Sequence, residues 1–240
     1  MNKTIITTLL ASLLTCNVHA SDWGYDEHTG PEYWGKISKT CETGKNQSPI
    51  NISETVQGEM QSLNLDYDGK VIGMINNGHT LQAKVEGKNT LTVDNKMFEL
   101  KQFHFHTPSE NLIHNKQYPL EAHFVHVDKE GNLAVVSVMF EIDKPNSQIT
   151  KLSTNLPEEG EATTLIEPFA ISEMLPTYNS YYRFNGSLTT PPCSEGVRWF
   201  ILSETKTLST NQEETLNKAM GNNNRPIQDI YARKVMFNKS

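Results

Sequence analysis

The stretch from Gln102 to Glu110 constrains the fold more than any other part of the chain. It reads Gln-Phe-His-Phe-His-Thr-Pro-Ser-Glu. Side chains alternate between the two faces of a β-strand. A strand here therefore places His104 and His106 on one face, together with Gln102, and the two phenylalanines on the other. Such a strand can bind a metal ion and pack a core at once, but two histidines do not complete a zinc site.

The segment Glu121–His126 supplies the best third ligand, His123. Alternation places Glu121, His123 and Val125 on one face and His126 on the other, where we expect a core histidine. Residues 107–119 are long enough to turn the chain back, so that this strand lies antiparallel beside the first. Three histidines of neighbouring strands then converge.

The two strands share a further regularity. Gln102 precedes His104 by two residues, and Glu121 precedes His123 by two. Each acceptor can hold the non-ligating N–H of the adjacent imidazole. Three neutral histidines leave a zinc ion one open position for water, whose pKa the metal lowers. His-x-His also occurs in cupins and other metal-binding β-folds, and ordinary strand histidines remain an alternative interpretation.

The rest of the chain favours β-structure, because short alternating runs are separated by turn residues. Leu133–Phe140 is nearly all apolar, which predicts a central strand buried on both faces. Helices are predicted at Ser147–Asn155 and Asn211–Met220, the latter capped by Thr210 with Glu213 and closed by Gly221. The other predicted strands are Leu63–Tyr67, Leu81–Val85, Leu91–Val93, Leu120–Val127 and Val197–Leu202.

No repeat or low-complexity linker divides the chain, which predicts a single domain over 21–240. Its fold class is mainly β: one twisted, largely antiparallel sheet with long loops and a few peripheral helices. Residues 1–20 predict a signal peptide, with Lys3, an apolar run from Ile5 to Leu14 and small residues before Ala20. A lipid anchor through Cys16 is a weaker alternative, and no other stretch is apolar enough to span a bilayer.

Composition narrows the compartment and the partners. The full chain has 21 basic and 28 acidic residues, and Lys3 is the only charged residue of the leader. Without the leader, 20 basic and 28 acidic residues remain, which is a net charge of −8. An acidic chain without basic clusters argues against nucleic acid and anionic membranes. Cys41 and Cys193 are then the remaining cysteines, and in an exported protein a disulfide between them is expected, with two buried free thiols as the alternative.

Several motifs together resemble the α-class carbonic anhydrases. They are Trp23–Tyr25, Gln47–Ile50, Asn76–His79, Gln102–His106 with Ser109 and Glu110, Glu121–His126, Gly186–Pro192 and Asn224–Pro226. They follow one another in the order of that family and cover essentially the whole chain after the leader. The resemblance implies a sheet of about ten strands, a conical zinc cleft and the reversible hydration of CO2 to bicarbonate through zinc-bound hydroxide.

The resemblance also assigns roles. His104, His106 and His123 are the zinc ligands, and Thr189 accepts a hydrogen bond from the hydroxide and donates one to Glu110. His79 is the proton shuttle, since a histidine can accept and release protons near neutral pH. The substrate pocket comprises Thr190 and the hydrophobic residues Val125, Val135, Leu188 and Trp199, and the solvent network comprises Tyr25, Asn77 and Gln82.

Other residues carry weaker expectations. His28 and His114 are expected to be peripheral, although His28 could relay protons. Asn111 and Val127 stand where many relatives carry histidine and tryptophan, and neither is expected to touch the metal chemistry. A homodimer is compatible with the sequence.

Two other functions stay open. An inactive relative acting as a binding module would typically lack a ligand histidine, and this chain keeps all three. A zinc esterase or hydrolase is the second alternative, but no His-Glu-x-x-His motif is present.

Overall fold

A computed structural model describes residues 23–238, so the predicted signal peptide lies outside the described residues. Within this range the chain is dominated by strands. They are β1 (Asn51–Ile52), β2 (Val56–Gln57), β3 (Asn64–Tyr67), β4 (Lys70–Asn76), β5 (Leu81–Glu86), β6 (Asn89–Val93), β7 (Lys96–His106), β8 (Leu112–Ile113), β9 (Leu120–Val127), β10 (Leu133–Ile142), β11 (Ala162–Ala170), β12 (Tyr181–Ser187), β13 (Glu195–Leu202), β14 (Lys206–Leu208) and β15 (Met236–Asn238).

Thirteen of these strands form one sheet, and β1 pairs with β8 separately. Ten strands follow one another in the order β11-β4-β5-β7-β9-β10-β13-β12-β15-β2, while β3, β6 and β14 pair alongside them. The predicted sheet of about ten strands is therefore confirmed.

The sheet is largely antiparallel, as predicted, but it is mixed because three of its strand pairs are parallel. β10 runs parallel to β13 and to β14, and β15 runs parallel to β2. The chain leaves β10, forms β11 at the far edge of the sheet and returns through β12. It therefore enters β13 in the direction of β10, a crossover that local alternation does not reveal.

The faces of the predicted metal-binding strand are as expected. Phe103 and Phe105 are fully buried in the main core, where Phe103 stacks on Phe124 of β9 with ring centroids 4.7 Å apart. β10 is buried along most of its length between β9 and β13. One face of β7 thus anchors the strand, and the other face is free to carry the histidines.

Helices are short and peripheral. They are α1 (Lys39–Thr43), α2 (Ser147–Ser153) and α3 (Thr210–Met220), with 3₁₀-helices at Pro31–Lys36 and Ile171–Met174. Among the described residues no helix is long and apolar enough to cross a membrane.

The predicted cap of α3 is wrong by one residue. Ser209 has extended backbone angles, its hydroxyl accepts from Gln212 N at 3.3 Å, and Gln212 Oε1 accepts from Ser209 N at 3.0 Å. Thr210 is already helical. Ser209–Gln212 and Thr210–Glu213 both satisfy the capping-box spacing, so sequence alone does not separate them. The helix ends before Gly221 as predicted.

Candidate metal centre and cleft

Sheet register brings the three predicted ligand histidines together. His104 on β7 lies opposite His123 on β9, and His106 lies opposite Glu121. On the other side of β9, His123 faces Ser137 of β10. One ring nitrogen from each of His104, His106 and His123 lies within 4.8 Å of the others. The antiparallel pairing inferred from the spacing is present.

Each imidazole is oriented through its outer nitrogen. His104 Nδ1 lies 2.9 Å from Gln102 Oε1, and His106 Nδ1 lies 2.8 Å from the carbonyl oxygen of Asn223. Both oxygens only accept, so these nitrogens donate. His123 Nε2 faces Glu121 Oε1 at 2.9 Å, although its N–H is not well aligned for a hydrogen bond.

The second ring nitrogens of the three histidines, which do not face these acceptors, lie close together and suit a metal ion. They are His104 Nε2, His106 Nε2 and His123 Nδ1, and His106 Nε2 is buried without any hydrogen-bond partner. Burial lowers the pKa of His104 well below its ordinary value, with further lowering by His106 and His123. Burial also lowers the pKa of His106. Neutral imidazoles with a free lone pair are what Zn²⁺ requires, so the residues fit this ion.

Glu121 is a buried carboxylate with a full set of donors. Its oxygens accept from Glu110 N at 2.8 Å, from Asn111 N at 2.9 Å and Asn111 Nδ2 at 2.8 Å, and from Ser137 Oγ at 2.6 Å. Burial acts to raise the pKa of Glu121, but His123, Ser137 and Asn111 outweigh it and lower the pKa to about 2. The residue is therefore ionised beside His123.

Asn111 supports the Glu121 carboxylate. It donates twice to Glu121, which faces His123, and its Oδ1 accepts from Ile50 N at 3.1 Å. That Asn111 does not touch the metal chemistry itself stays a prediction. A short amide suits this position because it donates and accepts at the same time.

Glu110 lies on the inner side of the histidines. Its Oε2 is 3.5 Å from His106 Nε2 and 3.8 Å from His123 Nδ1 and has no hydrogen-bond partner, while its Oε1 accepts from Arg225 N at 2.9 Å. Burial raises the pKa of Glu110 to about 7 against the lowering by His123, Arg225 and Thr189. The structure thus brings Thr189 and Glu110 within interaction range.

A disulfide anchors the loop that carries Thr189. This loop joins β12 to β13 and contains Cys193, which is bonded to Cys41 on α1 across a sequence separation of 152. Gln47 Nε2 donates to the carbonyl of Cys193 at 3.1 Å, and Ser38 Oγ donates to that of Pro192 at 2.9 Å. Thr189 itself is 6% exposed. The N-terminal segment therefore holds the loop in place.

The predicted apolar pocket residues form a row across the sheet. Val125 pairs with Val135, and Val135 pairs with Trp199, one register step from the histidine row. These three pack in one cluster with Leu188. The Trp199 ring lies 4.9 Å from that of His123, and its Nε1 donates to the carbonyl of Ser187 at 3.0 Å. The row gives the histidines an apolar wall.

A cleft of about 150 Å³ leads to the histidines. It gathers the predicted solvent-network residues and the shuttle candidate His79, whose ring stacks on Trp23 with centroids 3.8 Å apart. Burial lowers the pKa of His79. The residues that line the cleft are Trp23, Tyr25, Asn77, His79, Thr80, Gln82, Gln102, His104, His106 and Thr190.

The remaining histidines lie elsewhere. His28 is exposed beside Glu27, and His114 lies near Tyr182. His126 is buried as predicted, with Nε2 2.6 Å from Tyr67 OH and Nδ1 3.2 Å from the carbonyl of Ala134.

Sequence reasoning missed two structural supports. Asn223 accepts from His106 and donates to the carbonyls of His79 and Phe105, each at 3.0 Å. The Arg225 guanidinium donates to Gln47 Oε1 and to the carbonyls of Ser48 and Cys41. Both lie in an irregular stretch without periodicity, so the only signal was the Asn-Arg-Pro motif.

A broad mixed sheet with a buried three-histidine cluster below a narrow cleft is an arrangement that could hold a metal ion. Comparison with known proteins identifies the family. Residues 29–239 match the family described as eukaryotic-type carbonic anhydrase. Carbonic anhydrase of Neisseria gonorrhoeae is 42% identical over 240 residues, which is 97% of this chain and 95% of that protein. Carbonic anhydrase of Pectobacterium carotovorum is 43% identical over 237 residues, 97% and 96% of the two chains.

A solved structure agrees. Photobacterium profundum α-carbonic anhydrase superposes with a TM-score of 0.88 and 54% identity, covering 89% of this chain and 99% of that one. The chain therefore belongs to the α-class, or eukaryotic-type, carbonic anhydrase family and is an enzyme of that class.

Proposed function

We propose that this chain catalyses the reversible hydration of CO2 to bicarbonate and a proton at a zinc ion held by His104, His106 and His123. The observation that carries this function is a set of three inward-facing imidazole nitrogens below a cleft, with each outer nitrogen 2.8 to 2.9 Å from an acceptor oxygen. A zinc ion bound by three neutral histidines lowers the pKa of a coordinated water to about 7 and so supplies a nucleophile at neutral pH.

Thr189 and Glu110 select and orient the nucleophile. A hydrogen bond donated by the Thr189 hydroxyl to Glu110 would leave the Thr189 oxygen as an acceptor toward the cleft. Only a group that carries a proton can donate to it, so anions without a proton are disfavoured. Arg225 N holds the other oxygen of Glu110 and fixes the carboxylate.

CO2 is small and apolar and needs a surface without hydrogen-bonding groups. Val125, Val135, Leu188 and Trp199 form one apolar cluster beside His123 and supply that surface. Thr190 lies on the cleft side, where it contributes to the polar rim.

His79 transfers the released proton to solvent. It lines the same cleft as His104 and His106, together with Tyr25, Asn77 and Gln82. These polar groups can order the water molecules through which the proton moves. The imidazole accepts the proton and releases it near neutral pH.

Stopped-flow CO2 hydration tests the function. We expect rapid turnover by the zinc-loaded protein and a loss of about 100-fold or more, with loss of zinc, in His106→Ala. His114→Ala, which removes a peripheral histidine, is the matched control and keeps the activity. Stoichiometric zinc without CO2 hydration would favour an inactive binding module, and ester hydrolysis alone would favour a zinc esterase.

The shuttle role of His79 has its own test. His79→Ala should lower kcat by about tenfold in weak buffer, and added imidazole should restore it, because an external base replaces the missing one. The value of kcat/KM should be the same in His79→Ala and in the unmodified protein. A kcat that is independent of the buffer in both proteins excludes His79 as the shuttle.

We also propose that the protein is exported to the periplasm or secreted. The Cys41–Cys193 disulfide supports this location, since such bonds persist in oxidising compartments. N-terminal sequencing of the protein recovered outside the cytoplasm should begin at Ser21.

A further inference from the structure

The loop at residues 157–161, between α2 and β11, is bonded to the turn that carries His79. Gly160 N donates to the carbonyl of Asn76 at 2.9 Å, and Asn76 N donates to that of Glu161 at 3.0 Å. Asn76 Nδ2 also donates to the carbonyl of Pro157 at 3.3 Å. Loop and turn therefore form one hydrogen-bonded unit, with a fixed relation between their side chains.

Gly78 gives the side chain of Glu159 its place in this unit. Gly78 has a φ of +83°, and a Cβ there would lie 3.0 Å from Glu159 Oε1 and 3.5 Å from its Cδ and Cγ. The positive φ disfavours any side chain at the residue before His79, and the Glu159 side chain occupies the space beside it. The Glu159 carboxylate lies over the turn, one residue from His79.

The surroundings of the His79 ring give this carboxylate a role. Trp23 stacks on the ring, and Asn223 Nδ2 donates to the His79 carbonyl. The titratable groups that share the cleft are Tyr25, His104 and His106. Burial raises the pKa of Tyr25, so its phenol is neutral near pH 7, and the two histidine side chains supply no negative charge.

Glu159 therefore supplies a negative charge where the neighbouring cleft groups supply none. Burial lowers the pKa of His79, and the Glu159 carboxylate acts in the opposite direction. A shuttle with too low a pKa accepts protons poorly, and a nearby carboxylate raises that pKa because it stabilises the protonated imidazole.

We propose that Glu159 is a positioning residue for proton transfer, whose carboxylate stabilises the protonated imidazole of His79 at the mouth of the cleft. The role rests on the proposed function, because it gives the shuttle a partner. Glu159 touches neither the metal site nor the substrate pocket and acts through His79 alone.

Titration of the His79 imidazole by NMR tests the proposal directly. The zinc-loaded protein labelled with ¹⁵N at histidine is compared with Glu159→Gln and with Glu158→Gln, and the signal is assigned by its loss in His79→Gln. Glu158 is the matched control, an exposed glutamate of the same loop. We expect a lower His79 pKa in Glu159→Gln, no change in Glu158→Gln, and a difference that shrinks at 1 M salt, where exposed charges are screened within about 3 Å.

Kinetics provide the second readout. In weak buffer Glu159→Gln should lower kcat for hydration by about twofold and leave kcat/KM in place, with imidazole abolishing the difference. An unchanged His79 pKa in Glu159→Gln, or an equal shift in Glu158→Gln, overturns the proposal. Zinc-loaded protein that does not hydrate CO2 overturns the proposed function instead, and the NMR titration still shows whether Glu159 acts on His79.

Discussion

The three candidate ligand histidines are each oriented by a different acceptor. Gln102 offers a neutral amide oxygen to His104, Asn223 a backbone carbonyl to His106, and Glu121 an ionised carboxylate to His123. An orienting acceptor fixes the tautomer and ring angle before the metal arrives and raises the basicity of the ligand. Because the backbone carbonyl cannot be mutated away, the side-chain acceptors are the ones that can be tested.

Gln102→Leu should weaken zinc binding by about tenfold, because the N–H of His104 loses its acceptor and the ring its fixed angle. Competition with a chelator measures the change. Gln82→Leu is the matched control, since Gln82 faces His104 in the neighbouring strand without a hydrogen bond to its ring. Equal zinc affinity of Gln102→Leu and the unmodified protein contradicts this role of Gln102.

His126 is the histidine that the fold buries for packing. It is fully buried, and burial lowers its pKa to about 4 against the effect of the Ala134 carbonyl. In the unfolded chain the residue titrates near its ordinary value of about 6.5. Between these two values the unfolded state binds a proton that the folded state does not, so the free energy of unfolding falls as the pH falls.

Between pH 7 and pH 5, His126 should therefore lower the free energy of unfolding by about 2 kcal/mol. Urea denaturation at the two pH values measures it. The paired variant Tyr67→Phe/His126→Leu removes both partners of the buried hydrogen bond. Between pH 7 and pH 5 its free energy of unfolding should fall by about 2 kcal/mol less than that of the unmodified protein. An identical loss in both proteins would show that His126 does not govern this part of the acid sensitivity.

At the scale of elements, register and capping decide what the sequence predicts. The spacing of His104, His106 and His123 predicted two adjacent antiparallel strands because side-chain alternation is strict and the connection short. The parallel pairs of β10 were not predicted, because they follow from a long crossover. The cap of α3 was misplaced, since two overlapping boxes fit equally well.

Alanine substitution separates the two candidate caps. Ser209→Ala should lower the free energy of unfolding by about 1 kcal/mol, because Gln212 N loses its acceptor, while Thr210→Ala should change it by less than about 0.5 kcal/mol. Denaturant midpoints of the two variants provide the measurement. The reverse order would place the cap at Thr210.

At the scale of the whole molecule, the chain segments before β1 and after α3 hold the site together. The Cys41–Cys193 disulfide and the side chain of Arg225 join the N-terminal segment, the β12–β13 loop and the loop after α3. A bond that closes so long a loop restricts the conformations of the unfolded chain and so stabilises the folded one.

Removing the disulfide should lower the free energy of unfolding by about 3 kcal/mol. Urea denaturation of Cys41→Ser/Cys193→Ser against the unmodified protein measures this loss. The double variant should not respond to a reducing agent, which serves as the internal control. Equal midpoints for both proteins would leave the bond without a stabilising role.

Much of the candidate site was predictable, because it lies on strands with strict alternation or in motifs that resemble a family. His104, His106, His123, Gln102 and Glu121 follow from the spacing alone. Asn223 and the contacts of Asn111 did not follow, because irregular chain has no period that shows where its side chains point. Glu159 was also missed, since an exposed glutamate in a loop has no distinguishing pattern.

Reconstitution with zinc tests the central claim most directly. Metal-free protein is titrated with Zn²⁺, and bound zinc and CO2 hydration are measured on the same samples. We expect activity to rise in proportion to bound zinc and to level off at one equivalent per chain, and a chelator to remove both. Full zinc occupancy without CO2 hydration, or hydration that does not depend on zinc, would contradict the account.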